Sequence, residues 1–94
     1  MSQKRSKHQV ISQILRTCIG KGAIKTRIVY TTNMNFHTVN SYLITLAEGG
    51  LIEVTRHSRV TYRTTEKGLE ALEHFEALEK LIPGLKSDTM TLKT

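Results

Sequence analysis

Residues 25–52 read KTRIVYTTNMNFHTVNSYLITLAEGGLI, and the spacing of apolar and turn-forming residues in this stretch decides the fold. Phe36, Val39, Leu43 and Leu46 recur at intervals of three, four and three, with Tyr42 beside them, which sets them on one face of a helix. Asn35 is a good N-cap for that helix and Gly49-Gly50 closes it. Two residues ahead of Asn35 stands Asn33, a residue type that tolerates the left-handed conformation in which helices often end. The segment before it, from about Lys25 to Thr32, therefore predicts a short helix that buries Ile28 and Val29. Its β-branched residues give it poor intrinsic propensity, so tertiary packing must hold it. The stretch reads as helix, tight turn, helix.

Upstream, Ser6 with Gln9 three residues on makes a capping box. It opens a first helix whose stripe is Val10, Ile11, Ile14, Leu15, Cys18 and Ile19, ended by Gly20 or Gly22 in the left-handed conformation. Downstream, Leu51 to Arg56 and Val60 to Thr64 are rich in β-branched residues and flank His57-Ser58-Arg59, the pattern of an antiparallel hairpin. Thr65 then caps a helix from Glu66 to about Ile82, where Pro83-Gly84 stops it. Residues 83–94 show no periodicity and are expected to form a flexible tail. The fold class is mainly α with a small β-hairpin, and 94 residues leave room for one core only.

Charge is segregated along the chain. Residues 1–63 hold ten Lys or Arg against two Glu, net +8, while residues 64–94 hold four against six acids, net −2. A basic body attracts polyanions because neutralising phosphates releases condensed counterions. The helix over residues 35–48 contains no Lys or Arg. The cations surround it instead: Lys4, Arg5 and Lys7 on the N-terminal arm, Lys21, Lys25 and Arg27 at the second helix, and Arg56, Arg59 and Arg63 on the hairpin. Cations of this kind suit contact with phosphates, which gives affinity and position with little sequence information.

The order of elements resembles the winged helix-turn-helix superfamily, with Thr26, Ile28, Val29, Asn33, Met34, Asn35, Val39, Leu43, Leu46, Gly50, Leu51 and Ile52 matching its pattern. The run TEKG at 65–68 resembles the usual exit from the wing into the last helix. More narrowly, KTRIVY at 25–30, the basic N-terminus and the terminal helix look like the small archaeal winged-helix DNA-binding proteins, over residues 6–82. That resemblance implies binding of double-stranded DNA, association with chromatin, and a homodimer joined through the last helix as an antiparallel coiled coil. It further implies that the third helix enters the major groove while the hairpin tip lies near the backbone or minor groove. His37, Thr38, Asn40, Ser41 and Thr45 would then face bases or phosphates, and Asn40 is the candidate for bidentate pairing with adenine.

The last helix carries Leu69, Leu72, Phe75, Leu78 and Ile82 on one side and Glu70, Glu73, Glu76 and Glu79 on the other. Leu69 and Leu72 are expected to cover the chain's own core, at least in part. The candidate dimer interface is Leu72, Phe75, Leu78 and Ile82, since apolar residues this far from so small a body would otherwise stay in water. The division expected is therefore a basic arm (1–5), the winged domain (6–65), a dimerisation helix (66–82) and the tail.

Other function classes find little support. One cysteine, Cys18, permits neither an internal disulfide nor a paired-cysteine zinc site. His8, His37, His57 and His74 lack a metal-ligand spacing, and no metal or other cofactor is expected. No nucleophile, base and orienting group come from neighbouring elements, no glycine-rich phosphate loop is present and no small-molecule ligand is evident, so an enzyme is not expected. No stretch approaches the roughly 20 apolar residues of a membrane span. The expected setting is cytoplasmic and nucleoid-associated. Two roles follow from DNA binding, a transcriptional regulator or an architectural chromatin protein; the alternative is a winged-helix module that docks a protein and never touches DNA. The absence of Lys and Arg from the third helix keeps that alternative open, and the net charge of the first 63 residues argues against it.

Overall fold

The computed structural model describes residues 6–82, in the order α1 (Lys7–Thr17), α2 (Lys25–Thr32), α3 (Phe36–Glu48), β1 (Ile52–Arg56), β2 (Val60–Thr64) and α4 (Glu66–Leu81). The caps read from the sequence are made. The Ser6 N–H donates to Gln9 Oε1 at 2.8 Å, Asn35 Oδ1 accepts from the Thr38 N–H at 2.8 Å, and Thr65 Oγ1 accepts from the Gly68 N–H at 3.0 Å. Asn33 ends α2 at φ 57, in the left-handed region. The tail and the arm residues Lys4 and Arg5 lie outside the described residues.

α1, α2, α3 and the hairpin enclose one core of Val10, Ile14, Leu15, Cys18, Ala23, Ile28, Val39, Leu43, Leu46 and Ile52, joined from α4 by Leu72. The strands pair antiparallel, with Ile52 opposite Thr64, Val54 opposite Tyr62 and Arg56 opposite Val60. Ala23, in the loop between α1 and α2, exchanges backbone hydrogen bonds with Tyr62 at 2.9 and 2.8 Å. The hairpin is thereby tied to the loop ahead of the helix-turn-helix. Gly22 permits that approach: its φ is +88, and a Cβ there would lie 2.6 Å from Tyr62 O.

Three apolar residues leave their expected places. Ile19 is 45% exposed, because α1 ends at Thr17 and the chain quits the helical face before reaching it. Phe36 is 50% exposed, since it lies at the edge of the stripe that Val39, Leu43 and Leu46 direct inward. Leu69 is 40% exposed, because α4 meets the body through Gly68 one position earlier, and a helix turns about 100° per residue. Leu72, assigned to both the core and a dimer seam, is 5% exposed, so its side chain is taken up by the chain's own core.

Thr64 links the hairpin to α1. It is buried, its N–H donates to Cys18 O at 3.0 Å, and its Oγ1 donates to Leu15 O at 2.7 Å. The C-cap carbonyl of Cys18 gains its partner this way, and Leu15 O gains a second one beside the Cys18 N–H at 3.3 Å. Thr64→Val keeps the shape and takes from Leu15 O the shorter of its two hydrogen bonds, leaving the Cys18 N–H at 3.3 Å, so urea denaturation should show a loss of about 1 kcal/mol. An unchanged midpoint would mean that water reaches the end of α1.

Candidate nucleic-acid interface

α3 turns Val39, Leu43 and Leu46 to the core, and this fixes what its far side shows. His37, Ser41 and Thr45 are exposed there, while Thr38 and Asn40 are half-buried. Ser41 Oγ donates back to His37 O at 3.3 Å. Two residues the sequence had set among the buried or unremarked apolar positions, Phe36 and Ile44, are 50% and 51% exposed on α3. Tyr30 on α2 is 86% exposed, three residues from Arg27. A periodic stripe read from sequence identifies the inward face and does not reveal which apolar residues sit at its edge.

Lys25 and Asn40, singled out separately for a phosphate and for adenine, meet each other. The Lys25 ammonium donates to Asn40 Oδ1 at 2.6 Å and lies 5.9 Å from the ring centroids of both Phe36 and Tyr62. This half-buried cation clamps α2, α3 and β2 together, with cation–π attraction adding to the hydrogen bond. Bidentate pairing with adenine needs the amide oxygen as an acceptor, and here that oxygen is engaged.

The remaining cations fall into two groups. Arg63 Nη1 bonds Glu53 Oε2 and its Nε donates to Gly20 O, each at 2.8 Å, buckling the hairpin to the α1–α2 loop. Arg16 reaches Glu76 at 3.3 Å and Glu79 at 3.7 Å on α4. Lys67 Nζ donates to Gly49 O at 2.8 Å, a cation at the negative end of α3. By contrast Lys7, Lys21, Arg27, Arg56 and Arg59 are exposed, and among the described residues no carboxylate lies within ion-pair distance of them. Arg56 and Arg59 stand at the hairpin tip and Arg27 is exposed on α2, and both α2 and β1 pack against α3. The acidic residues gather on α4, from Glu66 to Glu79.

Burial pushes the Cys18 thiol up to about 12, so it stays protonated and fills the core as a small apolar group. Among the described residues no group of three His, Cys, Asp or Glu could hold a metal ion. No described helix is long and apolar enough to cross a membrane.

The family model described as Winged helix-turn-helix matches residues 4–83. The chain belongs to this winged helix-turn-helix family. In its terms α2, the Asn33 turn and α3 form the helix-turn-helix, with α3 in the recognition position, and the β1–β2 hairpin is the wing. An uncharacterized protein of Methanocaldococcus jannaschii is 33% identical over 81 residues, which is 86% of this chain and 37% of that protein. The winged helix-turn-helix chain thus spans well under half the length of that curated relative. The crystal structure of Sso10a-2, a DNA-binding protein from Sulfolobus solfataricus, is similar with a TM-score of 0.72 and 26% identity, covering 82% of this chain and 81% of that one.

Proposed function

We propose that the chain binds double-stranded DNA, with α3 against the major groove and the tip of the wing along the backbone or minor groove. The observation that carries this reading is the set of exposed cations, Lys7, Lys21, Arg27, Arg56 and Arg59, which have no ion-pair partner among the described residues, in a winged helix-turn-helix whose α3 holds no Lys or Arg. The likeness to a DNA-binding protein, Sso10a-2, supports it. Lys4 and Arg5 extend the same grip, and His37, Thr38, Ser41 and Thr45 supply hydrogen bonds to bases or phosphates. Lys25 and Asn40 contribute through the clamp they form and hold α3 in place. This binding is mostly to the backbone, so specificity is weak, which suits an architectural chromatin protein better than a regulator with one operator. No catalytic step is part of the reading.

Two copies pair through α4 in this proposal. Leu78, Leu81 and Ile82 are 45%, 76% and 39% exposed at the end of that helix, with Phe75 half-buried beside them. With Leu72 buried at home, the seam reduces to the last two turns, and sedimentation measures it directly. The acidic outer side of α4 keeps the seam away from the phosphates.

A titration of random-sequence duplex at two salt concentrations tests the function. Seven phosphate contacts per protomer give a slope of log affinity against log salt of about −6, hence a loss of three to four orders of magnitude between about 50 and 200 mM salt. Absence of binding at the lower salt would favour the protein-docking alternative.

A further inference from the structure

The exposed side of α3 carries Phe36, Asn40 and Ile44 at four-residue spacing, which stacks them in one row along the helix. Both ends of the row are apolar and open to water, Phe36 at 50% and Ile44 at 51% exposure. Neither belongs to the stripe of Val39, Leu43 and Leu46 that seats the helix. In the middle, Asn40 has its carbonyl oxygen held by Lys25. Adenine would have to share that oxygen with Lys25, and with no Lys or Arg in α3 the helix lacks the donors that most often read guanine. What it offers a base edge is apolar surface of methyl size.

In the major groove thymine carries a C5-methyl group, and apolar side chains, Phe among them, recognise it by contact. We propose that Phe36 and Ile44 read thymine methyl groups, so that the chain prefers A·T-rich duplex through methyl burial and not through hydrogen bonds to base edges. The proposal rests on the DNA-binding reading and names the sequence class it favours. Charge complementarity identifies the occupant. Arg27 on α2 and Arg56 and Arg59 on the hairpin stand exposed, α2 and β1 both pack against α3, and α3 has no carboxylate before Glu48, its last residue. An apolar protein surface seated on Phe36 and Ile44 would leave those cations unanswered, whereas a duplex meets them with phosphates and the row with methyl groups. Stiff A-tracts also narrow the minor groove and draw arginine into it, so the wing favours the same sequences.

The test compares two duplexes identical except that every thymine is replaced by uracil, which removes the methyl group and keeps the pairing with adenine. Burying one methyl group is worth about fourfold in affinity, so the thymine duplex should bind about fourfold more tightly for one methyl covered and roughly 16-fold for two. Phe36→Ala and Ile44→Ala should each lower that ratio, and the double variant should bring it to one. Because the ratio is taken within one protein, a general loss of stability does not move it, and Ile44→Ala leaves the Lys25 clamp untouched. A third duplex with 5-methylcytosine in place of cytosine sets a methyl group at the same position of a G·C pair and should gain affinity over its unmethylated twin. Equal binding of the thymine and uracil duplexes overturns methyl reading while DNA binding stands, and is also the result if the row docks a protein. A ratio that persists in the double variant overturns the assignment to these two residues. Failure of the unaltered protein to bind any duplex at low salt removes the DNA-binding reading itself, and this inference with it.

Discussion

Gly68→Ala should destabilise the protein by about 3 kcal/mol, the upper part of the range for forcing a methyl group into packed surroundings. A Cβ at this position would stand 2.2 Å from Leu51 O and 2.7 Å from Thr64 Cγ2. Neither neighbour is free to retreat. Leu51 O accepts the Thr65 N–H at 3.0 Å and the Leu51 N–H donates to Leu46 O at 2.9 Å, while Thr64 is fixed by its bonds to Leu15 and Cys18. Relief must come from α4 moving outward, which would pull Leu72 from the core. The sign makes the test decisive, because within a helix alanine is better than glycine by about 1 kcal/mol and an unobstructed site would gain stability. Gly49→Ala serves as the control: its backbone is right-handed, its nearest atom to an added Cβ is Thr45 O at 3.6 Å, and its unfolding midpoint should hold or rise by a few degrees. For a domain of this size each kcal/mol shifts the midpoint by about 4 to 8 °C, so thermal denaturation should show Gly68→Ala melting at least about 12 °C lower. A midpoint equal to that of the unaltered protein would show that α4 slides on the body without cost.

Gly68 also shows where the sequence stops being informative. The segment 65–68 was legible as the exit from the wing, because a capping threonine ahead of a helix is a local signal carried within four residues. Its glycine is required by a carbonyl in another element, and nothing near it in the chain announces that. The same division runs through the site. α2 ends at Thr32 with Asn33 left-handed, and α3 begins after Asn35, as the turn-forming residues and the apolar stripe dictate. The cations themselves were visible, but their roles were not. Arg63 reads like Arg56 and Arg59 on the same hairpin, yet it bonds Gly20 O across 43 residues of chain. Lys25 and Asn40 meet across 15 residues, a separation that periodicity cannot relate. Apolar residues at a stripe's edge, such as Phe36 and Leu69, are settled by the angle at which two elements approach each other. Spacing alone carries no such angle.

The distinction between engaged and free cations yields the largest functional effect. Combining Arg27→Ala, Arg56→Ala and Arg59→Ala should reduce the magnitude of the salt slope for random duplex by about 3, since each phosphate contact contributes about 0.9. At about 50 mM salt the same counterion release accounts for up to roughly a thousandfold in affinity, which the triple variant should forfeit. Stability should change little: the three side chains are exposed and, among the described residues, make no ion pair, and surface substitutions of that kind fall within about 0.5 kcal/mol. Arg63→Ala supplies the contrast. It removes one positive charge from the same hairpin, but a charge already answered by Glu53 and Gly20 O, so the salt slope should stay at the value of the unaltered protein. If net charge alone drove binding, Arg63→Ala would lower the slope as much as any one of the other three. Binding isotherms over a range of salt separate the two outcomes. A triple variant that keeps the full slope would move the DNA contact away from α2 and the wing, leaving Lys7, Lys21 and the arm as its only basic grip.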